Sequence, residues 1–185
     1  MRPALPRNRF AAVLIEACVD SVAGAVAAEL AGAGRLELCA ALAEGGTTPS
    51  AGMISAVRAR VSIPMVVMVR PRGSDFLCDE QELDVMRRDI AVAIEAGAEG
   101  VAVGVLRRDG SVDREALATL VRAASPATVT FHRAFDMSRD LGEALAALAS
   151  RHPGGSARGA ARLAPACPHP EAGPGARLRG RPAPS

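Results

Sequence analysis

Five short apolar segments alternate strictly with five helix-like segments over the first 150 residues, and this alternation limits the fold more than any other feature. Each apolar segment is rich in Val, Ile or Leu and is short enough for a buried strand. Strands that alternate with helices pair in parallel through βα crossovers, so the sequence predicts an α/β protein. The predicted strands are 13–19, 35–40, 64–71, 100–106 and 127–135, and the predicted helices are 21–33, 50–61, 80–98, 113–124 and 138–149.

The side-chain pattern within these strands distinguishes between an open doubly wound sheet and a closed β/α barrel. In the first strand Glu16 and Cys18 alternate with apolar residues, and in the second strand Glu37 and Cys39 do the same. Each strand thus has one apolar face for the helices and one face that becomes polar. A barrel interior that opens into a polar mouth has this pattern, whereas a doubly wound sheet needs apolar side chains on both faces. We therefore predict a TIM-type (βα)8 barrel.

The predicted barrel stops after about five β/α units, although a complete barrel has eight strands and about 250 residues. Pro, Gly and Ala make up 21 of the 35 residues from 151 to 185. Such a segment cannot bury a core, so we predict that it is disordered and contains no strand. We interpret it as a shifted reading frame that truncates the protein; a natural disordered tail is the alternative. The predicted organisation is a disordered lead-in at 1–12, a partial barrel at 13–150 and the tail at 151–185.

Composition excludes several classes of function. All 22 basic residues are arginines, so a lysine Schiff-base enzyme is excluded. The sequence has neither a run of 18 apolar residues nor a secretion signal, and we predict a cytoplasmic protein with no membrane partner. The tail is basic but lacks aromatic residues and nucleic-acid motifs, so we predict no nucleic-acid partner. The four cysteines form no CxxC motif and are expected to be reduced thiols.

Strand parity predicts a polar site on the inner face, near the carboxyl ends of the strands, where barrel enzymes keep their active sites. The residues placed there are Glu16, Cys18, Glu37, Cys39, Arg70 and His132, with Arg72, Arg133 and Asp136 in the loops just beyond. Charges inside a barrel are costly unless they are paired. We therefore expect the two glutamates to pair with Arg70 and His132.

Two interpretations of this polar set remain open. It is either a structural ion-pair network that plugs the barrel or a pocket for a small molecule. In the pocket, a carboxylate or His132 acts as acid or base, and Arg70 anchors an anion. The loop EGGTTPS (44–50) is either a tight turn or a ligand-binding loop. The loop RPRGSDF (70–76) is either a solvated basic loop or part of an anion site formed by Arg70, Arg72 and Arg133. Neither loop has the glycine spacing of a nucleotide-binding motif.

The first two cysteines give a second hypothesis. Cys18 and Cys39 lie on neighbouring strands, which are separated by about 4.8 Å. Two thiolates that face each other suit a soft monovalent ion such as Cu(I). The alternative is that both are small buried apolar residues, which is common for cysteine. The spacing alone leaves both interpretations open.

Several longer segments resemble one known family. RLELCAALAEGGTTPS, PMVVMVRPRGSDF and VTFHRAFD, in this order, together with EACVDS and GVAVGVL, are similar to the CutC copper homeostasis family over about residues 13–150. The resemblance implies a TIM-type barrel, a cytoplasmic protein, a link to copper tolerance, and Cys18 and Cys39 as Cu(I) ligands. It implies no particular reaction. The residues that match the family's polar motif blocks are Glu16, Glu37, Arg70, His132, Arg133 and Asp136.

The carboxyl end departs from the family pattern. Family members continue through three further strands, none of which the sequence after Ser150 resembles. Loops after strands 7 and 8 often bind phosphate in such barrels, so an anion subsite there is expected to be lost. The open strand edges also favour association into a homo-oligomer. Three functions are therefore weighed: Cu(I) handling, an enzyme acting on a small molecule, and a nonfunctional fragment.

Overall fold

The computed structural model describes residues 14–149 and a short strand at 162–163. The strands are β1 (Glu16–Val19), β2 (Arg35–Leu38), β3 (Met65–Met68), β4 (Gly100–Val103), β5 (Thr128–Phe131) and β6 (Arg162–Leu163). The helices are α1 (Val22–Leu30), α2 (Ala51–Arg58), α3 (Glu80–Glu95), α4 (Arg114–Ala124) and α5 (Leu141–Ala149). Two 3₁₀ turns, Leu42–Glu44 and Arg133–Phe135, follow β2 and β5.

The strands form one parallel sheet whose spatial order is the same as their order in the sequence. A doubly wound sheet reverses direction after its first strands, which places the ligand site at the point of reversal. A sheet that always adds the next strand on the same side is instead the arrangement of a β/α barrel. The prediction of a barrel-type α/β fold is confirmed.

Apolar side chains pack in two layers, one on each face of the sheet. The outer layer joins strand residues such as Leu36, Val67 and Val101 to the helices in one large buried cluster. The alternate residues Val66 and Ala102 belong to a smaller cluster on the inner face. Strand side chains point alternately to opposite faces, so this division confirms the predicted parity.

Short polar side chains start the helices. Asp79 and Glu82 form a reciprocal capping box at α3, and Asp113 accepts hydrogen bonds from two backbone N–H groups of α4. Helix α5 begins at Leu141, not at Ser138 as predicted. The Ser138 hydroxyl donates to the Phe135 carbonyl and closes the 3₁₀ turn, while Asp140 accepts from the Glu143 N–H. The fifth strand is correspondingly shorter than predicted.

The segment after residue 150 contains one unexpected feature. Its residues Arg162–Leu163 form β6, which pairs in parallel with β5, so the prediction of no strand in 151–185 is wrong. The predicted lead-in at 1–12 and the rest of the tail lie outside the described residues. Among the described helices, none is long and apolar enough to cross a membrane.

Candidate functional site

Glu16, the first polar residue of the inner face, has a partner that the sequence analysis missed. Glu16 lies in register with Arg35 on β2, and the two side chains form a salt bridge. The predicted pairing of Glu16 with Arg70 or His132 is therefore wrong. Two residues at matching positions of neighbouring parallel strands share a face, so the opposite charges of Glu16 and Arg35 were a usable signal.

The cysteines of β1 and β2 touch each other. The Cys18 and Cys39 Sγ atoms are 3.4 Å apart, well beyond a disulfide bond length, so both are free thiols. Cys39 is almost fully buried, and its Sγ lies 3.6 Å from the Val19 carbonyl oxygen. The hydrogen bond to Cys39 and burial both raise the pKa of Cys18. Cys18 is therefore a protonated thiol that needs a strong competitor to lose its proton.

Glu37 lies beside this thiol pair. It is the register partner of Cys18, and their side chains are hydrogen-bonded. Burial raises the pKa of the Glu37 carboxyl, and the negative charge of Glu16 raises it further. The Cys18 hydrogen bond and Arg35 act in the opposite direction. A carboxylate with a raised pKa beside two thiols can accept a proton from one of them.

Arg70 follows β3 and ties two loops together. Its Nη1 donates to the carbonyl oxygens of Glu44 and Gly46 at 3.0 and 3.1 Å, and its Nη2 donates to the Ser74 carbonyl at 2.7 Å. The side chain is nearly buried, yet its Nε has no hydrogen-bond partner among the residues that the structure describes. Burial lowers the pKa of Arg70, and the positive charge of Arg133 lowers it further. The predicted pairing of Arg70 with a glutamate is wrong, because carbonyl groups take that place.

His132 follows β5 and is also buried. Its Nδ1 accepts a hydrogen bond from the Ala134 N–H at 3.2 Å, so the neutral ring carries its proton on Nε2. That Nε2 has no partner within the described residues. Burial and the charge of Arg70 lower the pKa of His132 to about 3. The ring is therefore a neutral hydrogen-bond donor at physiological pH, and the prediction that a glutamate pairs with it is wrong.

Phe76 contacts both of these buried side chains. The Arg70 Cζ atom lies 4.6 Å from the centre of the Phe76 ring, and the His132 ring centre lies 5.2 Å from it. Strand periodicity could not reveal this residue, because Phe76 lies on the loop between β3 and α3. A guanidinium over an aromatic face is stabilised by the ring's negative face.

A pair of glycines connects the thiol pair to Arg70. Gly45 and Gly46 both have positive φ, which lets the loop after β2 turn back over the sheet. A Cβ on Gly46 would lie 3.6 Å from the Cys39 Sγ, and a Cβ on Gly45 would collide with the Arg133 guanidinium. The loop thus contacts Cys39 on one side and Arg70 and Arg133 on the other.

The other predicted residues lie at the periphery. Arg72 is bound by Asp75 and Glu82 at the surface, and these hydrogen bonds raise the pKa of its guanidinium. Asp136 is exposed at the end of the 3₁₀ turn. Burial raises the pKa of the Cys78 thiol to about 11, so Cys78 is a poor nucleophile. In the part of the chain that the structure describes, no three side chains among His, Cys, Asp and Glu group as metal ligands.

The sequential parallel sheet and the polar groups on its inner face define a TIM-type β/α-barrel protein with a thiol pair and a buried cationic cluster at its mouth. Comparison with known families shows to which family within this class the chain belongs. The CutC family model matches residues 13–151, and the chain belongs to that family.

Relatives with this name occur in animals and bacteria. The chain is 54% identical over 127 residues to the mouse copper homeostasis protein cutC homolog, covering 69% of this chain and 47% of the mouse protein. It is 52% identical over 127 residues to the human homolog, covering 69% and 46%. The family protein CutC of Mesorhizobium japonicum is 50% identical over 135 residues, covering 73% and 52%. The chain therefore spans about half the length of the curated relatives it matches.

Solved structures agree on the fold. The crystal structure of a copper homeostasis protein CutC from Streptococcus agalactiae matches with a TM-score of 0.68 and 33% identity, covering 74% of this chain and 67% of that one. A phosphonopyruvate hydrolase matches with a TM-score of 0.51 and 18% identity, covering 72% and 53%. At that identity the second match concerns the fold alone.

Proposed function

We propose that this protein handles copper by binding Cu(I) between the Cys18 and Cys39 thiolates. The observation that carries the proposal is the 3.4 Å separation of the two Sγ atoms on the inner face. Thiolates are soft ligands that favour Cu(I) over hard cations. The relatives named copper homeostasis proteins support the same conclusion.

Met68 supplies a third soft donor in this proposal. It packs in the same inner cluster as Cys39. Its methyl Cε and the Cys39 Sγ lie 3.4 and 3.6 Å from the position that a Cβ on Gly46 would take. The cluster's other members, Val66 and Ala102, are apolar and keep water away from the ion. Thioether sulfur is also a ligand for Cu(I), so the site offers sulfur from three side chains.

In this proposal Glu37 accepts a proton that a cysteine thiol releases when Cu(I) binds. Metal binding requires thiolates, so each thiol that becomes a ligand must release its proton. Glu37 is hydrogen-bonded to Cys18 and its raised pKa lets it hold such a proton at the site. Glu16 is already paired with Arg35, and its role here is to raise the proton affinity of Glu37.

The proposal includes a cytoplasmic location, where thiols stay reduced and copper is available as Cu(I). The two other functions weighed from the sequence are less well supported. The first is an enzyme that acts on a small molecule through Glu16, Glu37, Arg70 and His132; the salt bridge of Glu16 to Arg35 argues against a catalytic role for Glu16. A nonfunctional fragment has no observation in its favour among the described residues. Association into a homo-oligomer stays a prediction.

The test is an anaerobic Cu(I) titration of the full chain against a chromophoric Cu(I) chelator. The Cys18→Ser/Cys39→Ser double variant should weaken binding by at least about a hundredfold, because loss of outer-shell partners alone costs 10–100-fold. The matched control is Cys78→Ser, which removes a half-buried thiol elsewhere and should leave the affinity unchanged. Equal affinity of the wild type and the double variant would overturn the proposal.

A further inference from the structure

Two buried hydrogen-bond donors at the mouth of the barrel have no acceptor in the part of the chain that the structure describes. They are the Arg70 Nε–H and the His132 Nε2–H, and both residues are only 5% exposed. Buried polar groups are almost always hydrogen-bonded, and leaving one without a partner costs about 1–3 kcal/mol. Two such donors that both border Phe76 therefore indicate a missing acceptor.

The surrounding charge shows what kind of acceptor fits. Among the described residues, no salt bridge joins Arg70 or Arg133 to a carboxylate. The Arg70 hydrogen-bond partners are three neutral carbonyls. Two carboxylates are close enough to influence Arg70, Glu44 more strongly than Asp75. Asp75 is already bound to Arg72, and Glu44 meets Arg70 through its backbone carbonyl, not through a salt bridge of its carboxylate. Buried charges are normally paired, so the acceptor that fits here is an anion.

We propose that Arg70, His132 and Arg133 form a binding site for a small oxyanion, either a carboxylate or a phosphate group of a metabolite. One oxygen accepts from Arg70 Nε and another from His132 Nε2, while Arg133 contributes a charge from the rim. This site is independent of the proposed copper site, because it uses no sulfur ligand. The Gly45–Gly46 loop lies between the two.

Phe76 covers both donors, and an oxyanion that reaches them must displace its ring. The ring belongs to the loop after β3, which also contains Ser74, a residue other than glycine at a φ of 74°. A small cavity on the Arg70 side of this ring is lined by Arg70, Phe76 and Gly104, together with the carboxylates of Asp75 and Glu82. Replacing Phe76 with the smaller Leu should therefore tighten binding, since less apolar surface must move before the anion enters.

The test is a titration of the full chain with inorganic phosphate and, separately, with oxalate, followed by NMR of the His132 Nε2–H proton. Saturable shifts of this signal at millimolar concentrations of either probe are expected, and chloride at equal ionic strength should not produce them. A response to phosphate alone assigns a phosphate group, and a response to oxalate alone assigns a carboxylate. No response to either probe would overturn the proposal.

Two variants separate binding from folding. His132→Asn keeps an acceptor for the Ala134 N–H but removes the Nε2 donor. Calorimetry should show that its affinity for the probe is about tenfold lower or more. Arg133→Gln should also weaken binding, whereas Arg108→Gln, an equal charge change on an exposed loop at the same end, should not. Folded variants that bind both probes as the wild type does would show that the two donors serve only a buried water.

Discussion

On the β1–β2 side of the inner face, Glu16 is paired with Arg35 and Glu37 lies beside a thiol. On the β3–β5 side, Arg70 and His132 each keep a donor without a partner in the described residues. The first region combines sulfur with negative charge and suits a soft cation. The second combines positive charge with free N–H groups and suits an anion. One strand pattern thus produces two chemically opposite regions, because the residue type at each inward position decides which ligand the region attracts.

The comparison predicts that the cationic region contributes more to stability than the thiol region. Arg70→Met removes three hydrogen bonds to carbonyls of two loops and should lower the free energy of unfolding by about 3 kcal/mol or more. Urea denaturation measures the free energy of unfolding of each variant. The neighbouring control, Arg72→Met, removes only surface pairs and should change stability far less. If Cys18→Ala lowered the free energy of unfolding more than Arg70→Met does, the predicted difference between the two regions would be wrong.

The two regions should also respond differently to pH. The raised pKa of Cys18 keeps the thiol protonated at neutral pH, so Cu(I) must displace protons and binds more tightly as pH rises. Release of two protons gives an affinity rise of about a hundredfold per pH unit, and transfer of a proton to Glu37 makes this rise shallower. Glu37→Gln should therefore steepen the slope. Chelator competition between pH 6 and 8 measures both slopes, and a flat profile would refute thiolate binding.

Oxalate binding should stay constant over the same pH range. His132 has a pKa of about 3, so it is already neutral at pH 5 and remains so at pH 8. Its Nε2–H is available throughout, and arginine side chains are not deprotonated in proteins. Calorimetric titrations with oxalate at several pH values provide the measurement. A steep loss of affinity above pH 6 would mean that a charged imidazolium, not a neutral donor, binds the anion.

One methyl group added at Gly104 should disrupt the cationic region and leave the thiol region unchanged. A Cβ on Gly104 would overlap the His132 ring and lie 2.8 Å from the Ala134 Cβ. Gly104→Ala should thus move His132, cost about 1–3 kcal/mol of stability and abolish oxyanion binding, while Cu(I) affinity stays unchanged. Gly52→Ala, at a position with space for a Cβ, is the matched control. Loss of Cu(I) binding in Gly104→Ala would show that the regions are not independent.

Sequence parity was enough to place the polar residues, but not to identify their partners. Alternation put Cys18 and Cys39 on one face of neighbouring strands, and their sulfurs do touch. The partners of Arg70 could not be predicted, because they are carbonyls in loops whose shape depends on positive φ at residues such as Gly45 and Gly46. Side-chain periodicity carries no information about such loops. The pairing of Glu16 with Arg35 was predictable, since both are inward residues at matching strand positions.

The smallest expected effect concerns the third sulfur. Met68→Leu keeps the volume of the side chain, so stability should change little, but Cu(I) affinity should fall by up to about tenfold because one soft donor is lost. Met86→Leu is the matched control, since Met86 is equally buried but belongs to the outer layer. X-ray absorption should count three sulfurs around copper in the wild type and two in Met68→Leu. If copper had two sulfur ligands in both proteins, Met68 would not be a ligand. The copper site would then consist of the two cysteines alone.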